Sequence, residues 1–398
     1  MKLTRRLALS MAVVPMAVVP MTGDARPPRG KPKTVPTGSP GETPLGPVDT
    51  VAKWAFIQDY NTGAVLLDKS SNEQMPPSSM TKLMTMYLVY ERLKQGQPRL
   101  TDIVPVSARA AAMGGSKMFL TAASVVSIED LIRGVIVQSG NDAATVLAET
   151  IGGTEDKFVE MMNAKAKSLG LTRSAFRNAT GWPDPEQVMT ARDIATLARR
   201  IITDFPEYYK YDSEKSFRYG GITQENRHPM VQAGTADGLK TGHTDAGGYG
   251  LVASSLRDGR RLIMVVNGMK TMHDRAVESE RMMSWAFSGF ENVRLFSANE
   301  IIDNAPVWLG RDKTVPLVGG QDLVVTMPRS WRQTASVKIS YDAPIRAPIA
   351  KGDPVATLVL RGLGVPSMDV KLLAGADVGR LSLPFRGLAV ISHFVSGS

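Results

Sequence analysis

Hydrophobic residues at helical spacing predict a cluster of helices in the first two thirds of the chain. Leu83, Tyr87 and Leu88 follow Pro76-Pro77-Ser78-Ser79 and predict a helix that starts near Ser78 and buries one face. A second helix opens with the capping pattern Ser127-Ile128-Glu129-Asp130 and should end near residue 138. Further helices are predicted at 142–150, 155–169, 190–203 and 274–287.

Strand patterns flank this helical cluster on both sides. Apolar runs at 54–57 and 64–67 enclose the turn Tyr60-Asn61-Thr62-Gly63, and Asp258-Gly259 joins strand-like runs at 249–256 and 261–266. Another strand is expected at 237–244. Strands at both ends with helices between them predict an α+β fold, in which a helical cluster covers an antiparallel sheet.

The C-terminal third changes to short strands between Gly- and Pro-rich turns, for example at 336–341 and 354–360. The pattern predicts a first, larger domain at 51–290 followed by a smaller all-β domain at 291–384. The tail at 385–398 has apolar residues at near-helical spacing but only one arginine. It is either a weak membrane-associating segment or a final strand.

The N-terminus has the features of an export signal. Lys2, Arg5 and Arg6 precede an apolar run from Leu7 to Met21 that is too short to span a bilayer. Residues 1–25 are therefore predicted to be a signal peptide, with an uncleaved anchor as the alternative, and 26–50 a disordered linker. The mature protein is expected in the periplasm or at the outer face of the cytoplasmic membrane.

Composition excludes several kinds of chemistry. The chain of 398 residues has no cysteine, so a thiol nucleophile and disulfides are impossible, and its four histidines lack metal-ligand spacing. No metal and no cofactor are expected. Removing residues 1–25 changes the formal charge from +9 to +7, which suits a polyanionic wall or membrane surface. Nucleic acid is a poor partner, because the basic residues are scattered.

Candidate chemistry begins at Ser79 and Lys82. Residues three apart project from the same face of a helix, so the hydroxyl and the amine should meet at the positive end of the helix dipole. Lys82 could take the serine proton only as a neutral amine, which requires a pKa about 3 pH units below the ordinary value, or roughly 4 kcal/mol. By itself the Ser-x-x-Lys pattern is also common on solvated helices.

Two later patterns follow Ser79 in a consistent order: Ser139-Gly140-Asn141, then Lys240-Thr241-Gly242. A lysine on a strand can direct a cation at a pocket, a threonine hydroxyl can hold a carboxylate, and glycine lets the backbone approach the substrate. The three patterns together favour an active site over chance.

With these motifs, and with Asn178-Ala179-Thr180-Gly181-Trp182, the chain resembles the penicillin-recognising serine D-alanyl-D-alanine carboxypeptidases, the low-molecular-mass penicillin-binding proteins with a C-terminal β domain. The resemblance covers residues from about 51 to 384. It implies removal of the terminal D-alanine from peptidoglycan stem peptides that end in D-Ala-D-Ala. It also implies covalent inhibition by β-lactam antibiotics.

The resemblance also implies roles for individual residues. Ser79 would be the nucleophile and Lys82 its base, while Ser139 would pass a proton to the leaving group and Asn141 would hold the peptide. Lys240 would supply a cation. Substrate binding would further use Thr241, Gly242, Arg227 and the backbone of His243, which with the backbone of Ser79 forms the oxyanion hole.

Three alternatives remain open from the sequence. A D,D-endopeptidase shares all three motifs. A β-lactamase needs a loop glutamate as general base, and Glu160 is a poor match because it lies in a helical pattern. The non-enzymatic alternative is a wall-binding scaffold with a vestigial pocket.

Overall fold

The computed structural model describes residues 2–7, 40–331, 336–362, 365–383 and 385. These residues divide into two compact units, one formed by 40–289 and the other by 2–7 together with the residues from 290 onward. The tail at 386–398 and most of the predicted signal peptide and linker, 8–39, lie outside the described residues. Export therefore stays a prediction.

The first unit is α+β, as predicted. Its strands are β2 Pro40–Gly41, β3 Val48–Asp49, β4 Trp54–Asp59, β5 Val65–Lys69, β6 Ile103–Pro105, β7 Val125–Ser127, β8 Ser216–Tyr219, β9 Ile222–Glu225, β10 Gly238–Thr244, β11 Gly248–Arg257 and β12 Arg260–Met269. Its helices are α1 Lys82–Lys94, α2 Ala108–Ala112, α3 Ile128–Val137, α4 Asn141–Gly152, α5 Glu155–Ser168, α6 Ala191–Asp204, α7 Pro206–Tyr209, α8 Pro229–Ala233 and α9 Met272–Gly289.

The described residues of this unit form an antiparallel sheet with the strand order β10-β11-β12-β4-β5. The hairpin predicted at Asp258-Gly259 joins β11 to β12, and both turn residues have positive φ, 49° and 77°. Aspartate and glycine tolerate this conformation, which matches the twist of the paired strands. β10 lies at the edge of the sheet, so one side of it is open to a ligand.

Helix α1 is the centre of the helical cluster. A 3-10 turn, Ser78–Thr81, leads into it, close to the predicted start. The prediction of a single buried face was wrong: every residue from Lys82 to Tyr90 is buried. The reason is tertiary, because α4, α5 and α6 pack around α1 and leave no side of this stretch in water.

The other helices begin and end close to their predicted positions. The hydroxyl of Ser127 accepts the N–H of Asp130 at 3.0 Å and caps α3, as the sequence pattern indicated. Helix α3 ends at Val137. The turn at residues 138–140 then connects α3 to α4 and carries Ser139 into the site.

The predicted linker boundary at residue 50 was wrong. Strand β2 pairs with β3, and the backbone of Glu42 exchanges two hydrogen bonds with Asp68, at 2.8 and 2.9 Å. These bonds attach residues 40–49 to β5. Composition alone suggested a linker because a two-residue strand carries no hydrophobic period.

The second unit is a β domain, as predicted. Its strands are β1 Lys2–Leu7, β13 Phe290–Phe296, β14 Ile301–Trp308, β15 Thr314–Gly319, β16 Leu323–Pro328, β17 Ser336–Asp342, β18 Ile345–Arg346, β19 Pro354–Gly362 and β20 Val365–Ala374. In the described residues the main sheet has the order β1-β17-β19-β20-β15-β14-β18, and β13 pairs with β16. Its core contains Leu317, Ile339, Leu358 and Leu372.

Candidate active site

The structure brings the predicted serine and lysine together. Ser79 lies in the 3-10 turn and Lys82 begins α1, and the lysine Nζ is 3.1 Å from the serine Oγ. Nζ also donates to Oδ1 of Asn141 at 2.7 Å and to the carbonyl oxygen of Thr180 at 2.5 Å. A neutral amine has two N–H donors and one lone pair. The two oxygens can take the donors, which leaves the lone pair for the serine hydroxyl.

The surroundings of Lys82 favour its neutral form. The side chain is fully buried, and burial is the largest cause that holds its pKa well below the ordinary value. The cations of Lys240 and Arg227 lower the pKa further, whereas the carboxylate of Asp142 opposes them. From the sequence we expect that Lys82 must be neutral and that Lys240 supplies a nearby cation. This geometry agrees with that expectation.

Lys240 is also buried, on β10. Its pKa is lowered to about 7, chiefly by burial and in addition by the cations of Arg227 and Arg275, while Asp212 acts against them. Its Nζ donates to the carbonyl of Thr241 at 3.2 Å. Cationic groups are thus gathered at one end of β10, where a carboxylate would be attracted.

The edge of β10 packs against the turn that carries the nucleophile. A Cβ atom at Gly242 would lie 3.1 Å from Cβ of Ser78, so a side chain there would press on the serine turn. Oγ of Ser78 and Oγ1 of Thr244 are 2.9 Å apart and join the two segments. The exposed imidazole of His243 stacks on Tyr249 with the ring centroids 3.9 Å apart.

Ser139 lies in the turn between α3 and α4, and Asn141 is the first residue of α4. Asn141 Nδ2 donates to the carbonyl of Gly114 at 2.8 Å while Oδ1 faces Lys82, so the amide is held from both ends. Ser139 has a positive φ of 58°. Its buried Oγ has no hydrogen-bond partner among the described residues, so the hydroxyl is available to a ligand.

Two further predicted site residues are Thr241 and Arg227. Thr241 is buried on β10, next to Lys240. Arg227 is exposed and donates to Oγ of Ser116. Its cation lowers the pKa of both buried lysines, Lys82 and Lys240.

The sequence interpretation missed Arg275. This buried residue of α9 donates to the carbonyl of Arg227 at 3.5 Å, and its guanidinium lies 5.8 Å from the centre of the Tyr249 ring. Its cation contributes to the lowered pKa of Lys240. No motif surrounds Arg275, and it follows Lys240 by more than thirty residues, so only packing of α9 against the sheet reveals it.

The supporting role of Asn178 was also missed. Its Oδ1 accepts the N–H groups of Gly181 at 2.8 Å and Trp182 at 3.0 Å, and this turn presents the Thr180 carbonyl to Lys82. Oδ1 also accepts the N–H of Thr180 at 3.2 Å. An asparagine side chain that bonds to the backbone two residues later is a common turn feature, so the sequence contained a usable signal. Asp142 supports the other side by accepting the N–H groups of Met118 and Leu120.

His228 has a structural environment. The buried ring caps α8, where Nδ1 accepts the N–H of Val231, and Nε2 donates to the carbonyl of Val252 at 3.0 Å. Burial lowers its pKa to about 3. Within the described ranges, no group of three or more His, Asp or Glu side chains is arranged to hold a metal ion.

A serine paired with a buried lysine, next to an open strand edge with a cationic end, defines the chain as a serine hydrolase of the Ser-x-x-Lys class. Comparison with known proteins gives the family. Residues 41–271 match the family described as D-alanyl-D-alanine carboxypeptidase, and residues 290–380 match the C-terminal domain of penicillin-binding protein 5. The chain belongs to the D-alanyl-D-alanine carboxypeptidase family, which confirms the predicted family, fold class and enzyme class.

Individual relatives agree with this assignment. The chain is 38% identical to D-alanyl-D-alanine carboxypeptidase DacC of Escherichia coli over 86% of its own length and 89% of that protein. Penicillin-binding protein 5 of Haemophilus influenzae superposes with a TM-score of 0.75 at 38% identity, covering 84% of this chain and 99% of that one. Penicillin-binding protein D2 of Listeria monocytogenes, solved in a cefotaxime-bound form, is similar at 27% identity with a TM-score of 0.56, covering 60% and 98%.

Proposed function

We propose that this protein removes the terminal D-alanine from peptidoglycan pentapeptide stems through an acyl-enzyme on Ser79, and that β-lactams acylate the same serine. One observation carries the proposal: a fully buried Lys82 amine lies 3.1 Å from the Ser79 hydroxyl, and oxygens of Asn141 and Thr180 are its other partners. This arrangement suits a neutral base that activates a serine.

In the acylation step, Lys82 accepts the Ser79 proton as Oγ forms a bond to the carbonyl carbon between the two D-alanines. The amide C–N bond then breaks, and its nitrogen receives a proton that the free hydroxyl of Ser139 relays from Lys82. The products are free D-alanine and an ester on Ser79. Water subsequently attacks that ester, which releases the shortened stem and restores the serine.

Substrate binding uses the open edge of β10. The terminal carboxylate pairs with the cations of Lys240 and Arg227 and with the hydroxyl of Thr241. Gly242 allows the peptide to approach the strand. The N–H groups of Ser79 and His243 hold the oxyanion that develops on the carbonyl oxygen, so His243 acts through its backbone while its ring remains against Tyr249.

Replacement of Ser79 tests this function. Ser79→Ala should abolish D-alanine release from a pentapeptide stem, followed by mass spectrometry, and also covalent labelling by a fluorescent penicillin. Ser168→Ala is a matched control, because that exposed serine lies at the end of α5. Retention of either activity by Ser79→Ala contradicts the proposal. Cleavage of cross-linked muropeptides instead of release of D-alanine would favour an endopeptidase, and rapid turnover of penicillin would favour a β-lactamase.

We also propose that residues 1–25 direct export and that the tail at 385–398 contacts the membrane surface peripherally. The basic and apolar pattern of the N-terminus and the apolar spacing of the tail support this. No helix of the described part of the chain is long and apolar enough to cross a membrane. Fractionation of cells that express the full chain, or the chain ending at residue 384, tests both points: the full chain should be exported, and truncation should release it from membranes.

A further inference from the structure

A groove of about 240 Å³ opens directly beside the serine turn. Ser78 and Gly181 line it, and Ser78 directly precedes the proposed nucleophile Ser79. Carbon-rich side chains dominate its walls: Pro76, Pro77, Trp182, Pro183, Pro185 and Ala246. Because proline has no backbone N–H to offer, this surface favours an apolar ligand group over a polar one.

The direction of the bound substrate follows from the charges along β10. Lys240 and Thr241 lie at one end of the strand segment, and Thr244, which lines the groove, lies at the other. If the leaving-group carboxylate occupies the cationic end and the scissile carbonyl lies at Ser79, the acyl side of the substrate must extend toward Thr244. The groove is the space into which it extends.

Trp182 is the residue of the groove that is best placed to contact a ligand. Its side chain is 47% exposed, yet it is supported from behind, because its ring lies 3.0 Å from where a Cβ atom of Gly114 would be. The backbone of Trp182 is held independently of its ring: Asn178 accepts its N–H and donates to its carbonyl, both at 3.0 Å. The ring can therefore be replaced without loss of the bonds that hold the loop.

We propose that Trp182 and this groove form a specificity subsite for an apolar substituent on the acyl side of the scissile amide. The inference rests on the proposed acylation of Ser79 and adds the recognition of the group that stays on the enzyme. In a penicillin, that group is the acylamino side chain of the β-lactam ring. Trp182 then determines which acylamino side chains of a β-lactam are preferred, whereas Ser79 and Lys82 act on every β-lactam regardless of its side chain.

Two β-lactams that differ only in this substituent test the proposal. Benzylpenicillin carries an aromatic side chain, whereas 6-aminopenicillanic acid carries only an amine. Second-order acylation rates are measured by stopped-flow for the wild type and for Trp182→Ala, Trp182→Phe and the control Leu256→Ala, which removes an exposed apolar side chain from β11. Trp182→Ala should slow acylation by benzylpenicillin about tenfold and leave that by 6-aminopenicillanic acid within about twofold. Trp182→Phe should recover most of the loss.

The outcomes separate the two proposals. If both compounds acylate the wild type but Trp182→Ala slows them equally, or slows neither, the subsite assignment is wrong and the proposed function stands. If neither compound acylates the wild-type protein, the proposed function fails and the subsite fails with it. A selective loss for benzylpenicillin supports both.

Discussion

Replacement of Gly181 by alanine should damage the site without touching a catalytic side chain. Gly181 has a φ of 82°, a region that L-residues rarely adopt. A Cβ atom there would lie 2.9 Å from the backbone nitrogen of Ser79 and closer still to the carbonyl oxygen of Ser78. The new methyl group would therefore push on the proposed nucleophile and on one of its proposed oxyanion donors.

The size of the effect can be worked from these contacts. Ordinary contact begins at 3.4 Å, so the Ser79 nitrogen and residue 181 must separate by at least 0.5 Å. Because a displacement of about 1 Å at a reacting group can cost about 10²-fold in rate, we expect penicillin acylation to fall 10- to 100-fold. The positive φ should add a loss of stability of about 1 kcal/mol.

The assay is stopped-flow acylation by a fluorescent penicillin, with a urea unfolding curve for each variant. Gly170→Ala is the matched control, because Gly170 has a similar φ of 75° and nothing lies within 4 Å of its Cβ position. It should lose only the roughly 1 kcal/mol that the positive φ costs and keep its acylation rate. Equal acylation rates in Gly181→Ala and Gly170→Ala would refute the steric reasoning.

Three other predictions follow from the site. Acylation needs Lys82 neutral and Lys240 charged, so the acylation rate should rise as the pH passes the lowered pKa of Lys82 and fall as the pH passes the pKa of Lys240 at about 7. Lys240→Arg stays charged, so the fall at alkaline pH should disappear from its pH–rate profile. An unchanged profile in this variant would contradict the role of Lys240. Asn178→Ala should lower the acylation rate about tenfold, because the turn that presents the Thr180 carbonyl loses its hydrogen-bond acceptor. Asn178→Asp keeps an acceptor oxygen and should retain more activity. Equal acylation rates in the two variants would count against Asn178 as the residue that holds this turn. His228 is buried with a folded-state pKa of about 3 against about 6.5 when unfolded, so the free energy of unfolding should fall as pH drops below 6.5, by about 4 kcal/mol at pH 3. Urea unfolding of His228→Asn, which keeps a capping side chain, should depend less on pH. Identical pH slopes in the two proteins would disprove this role of His228.

Local features of the structure could be predicted because they depend on residues close together in the chain. The cap at Ser127, the Asp258-Gly259 hairpin and the pairing of Ser79 with Lys82 each involve residues one to three positions apart. Their geometry follows from helical spacing and turn conformation. The burial of α1 on all sides could not be predicted, because it depends on where other helices pack.

The sequence by itself determined the order of the motifs, the family and the elements that carry the proposed nucleophile and base. Only the tertiary structure decided that the Thr180 carbonyl meets Lys82, that Arg275 joins the cations near Lys240, and that Trp182 lines a groove beside Ser78. The physical reason is distance along the chain. Periodicity and capping act within a few residues, whereas burial, like-charge proximity and close backbone contact arise only when the packed core brings remote segments together.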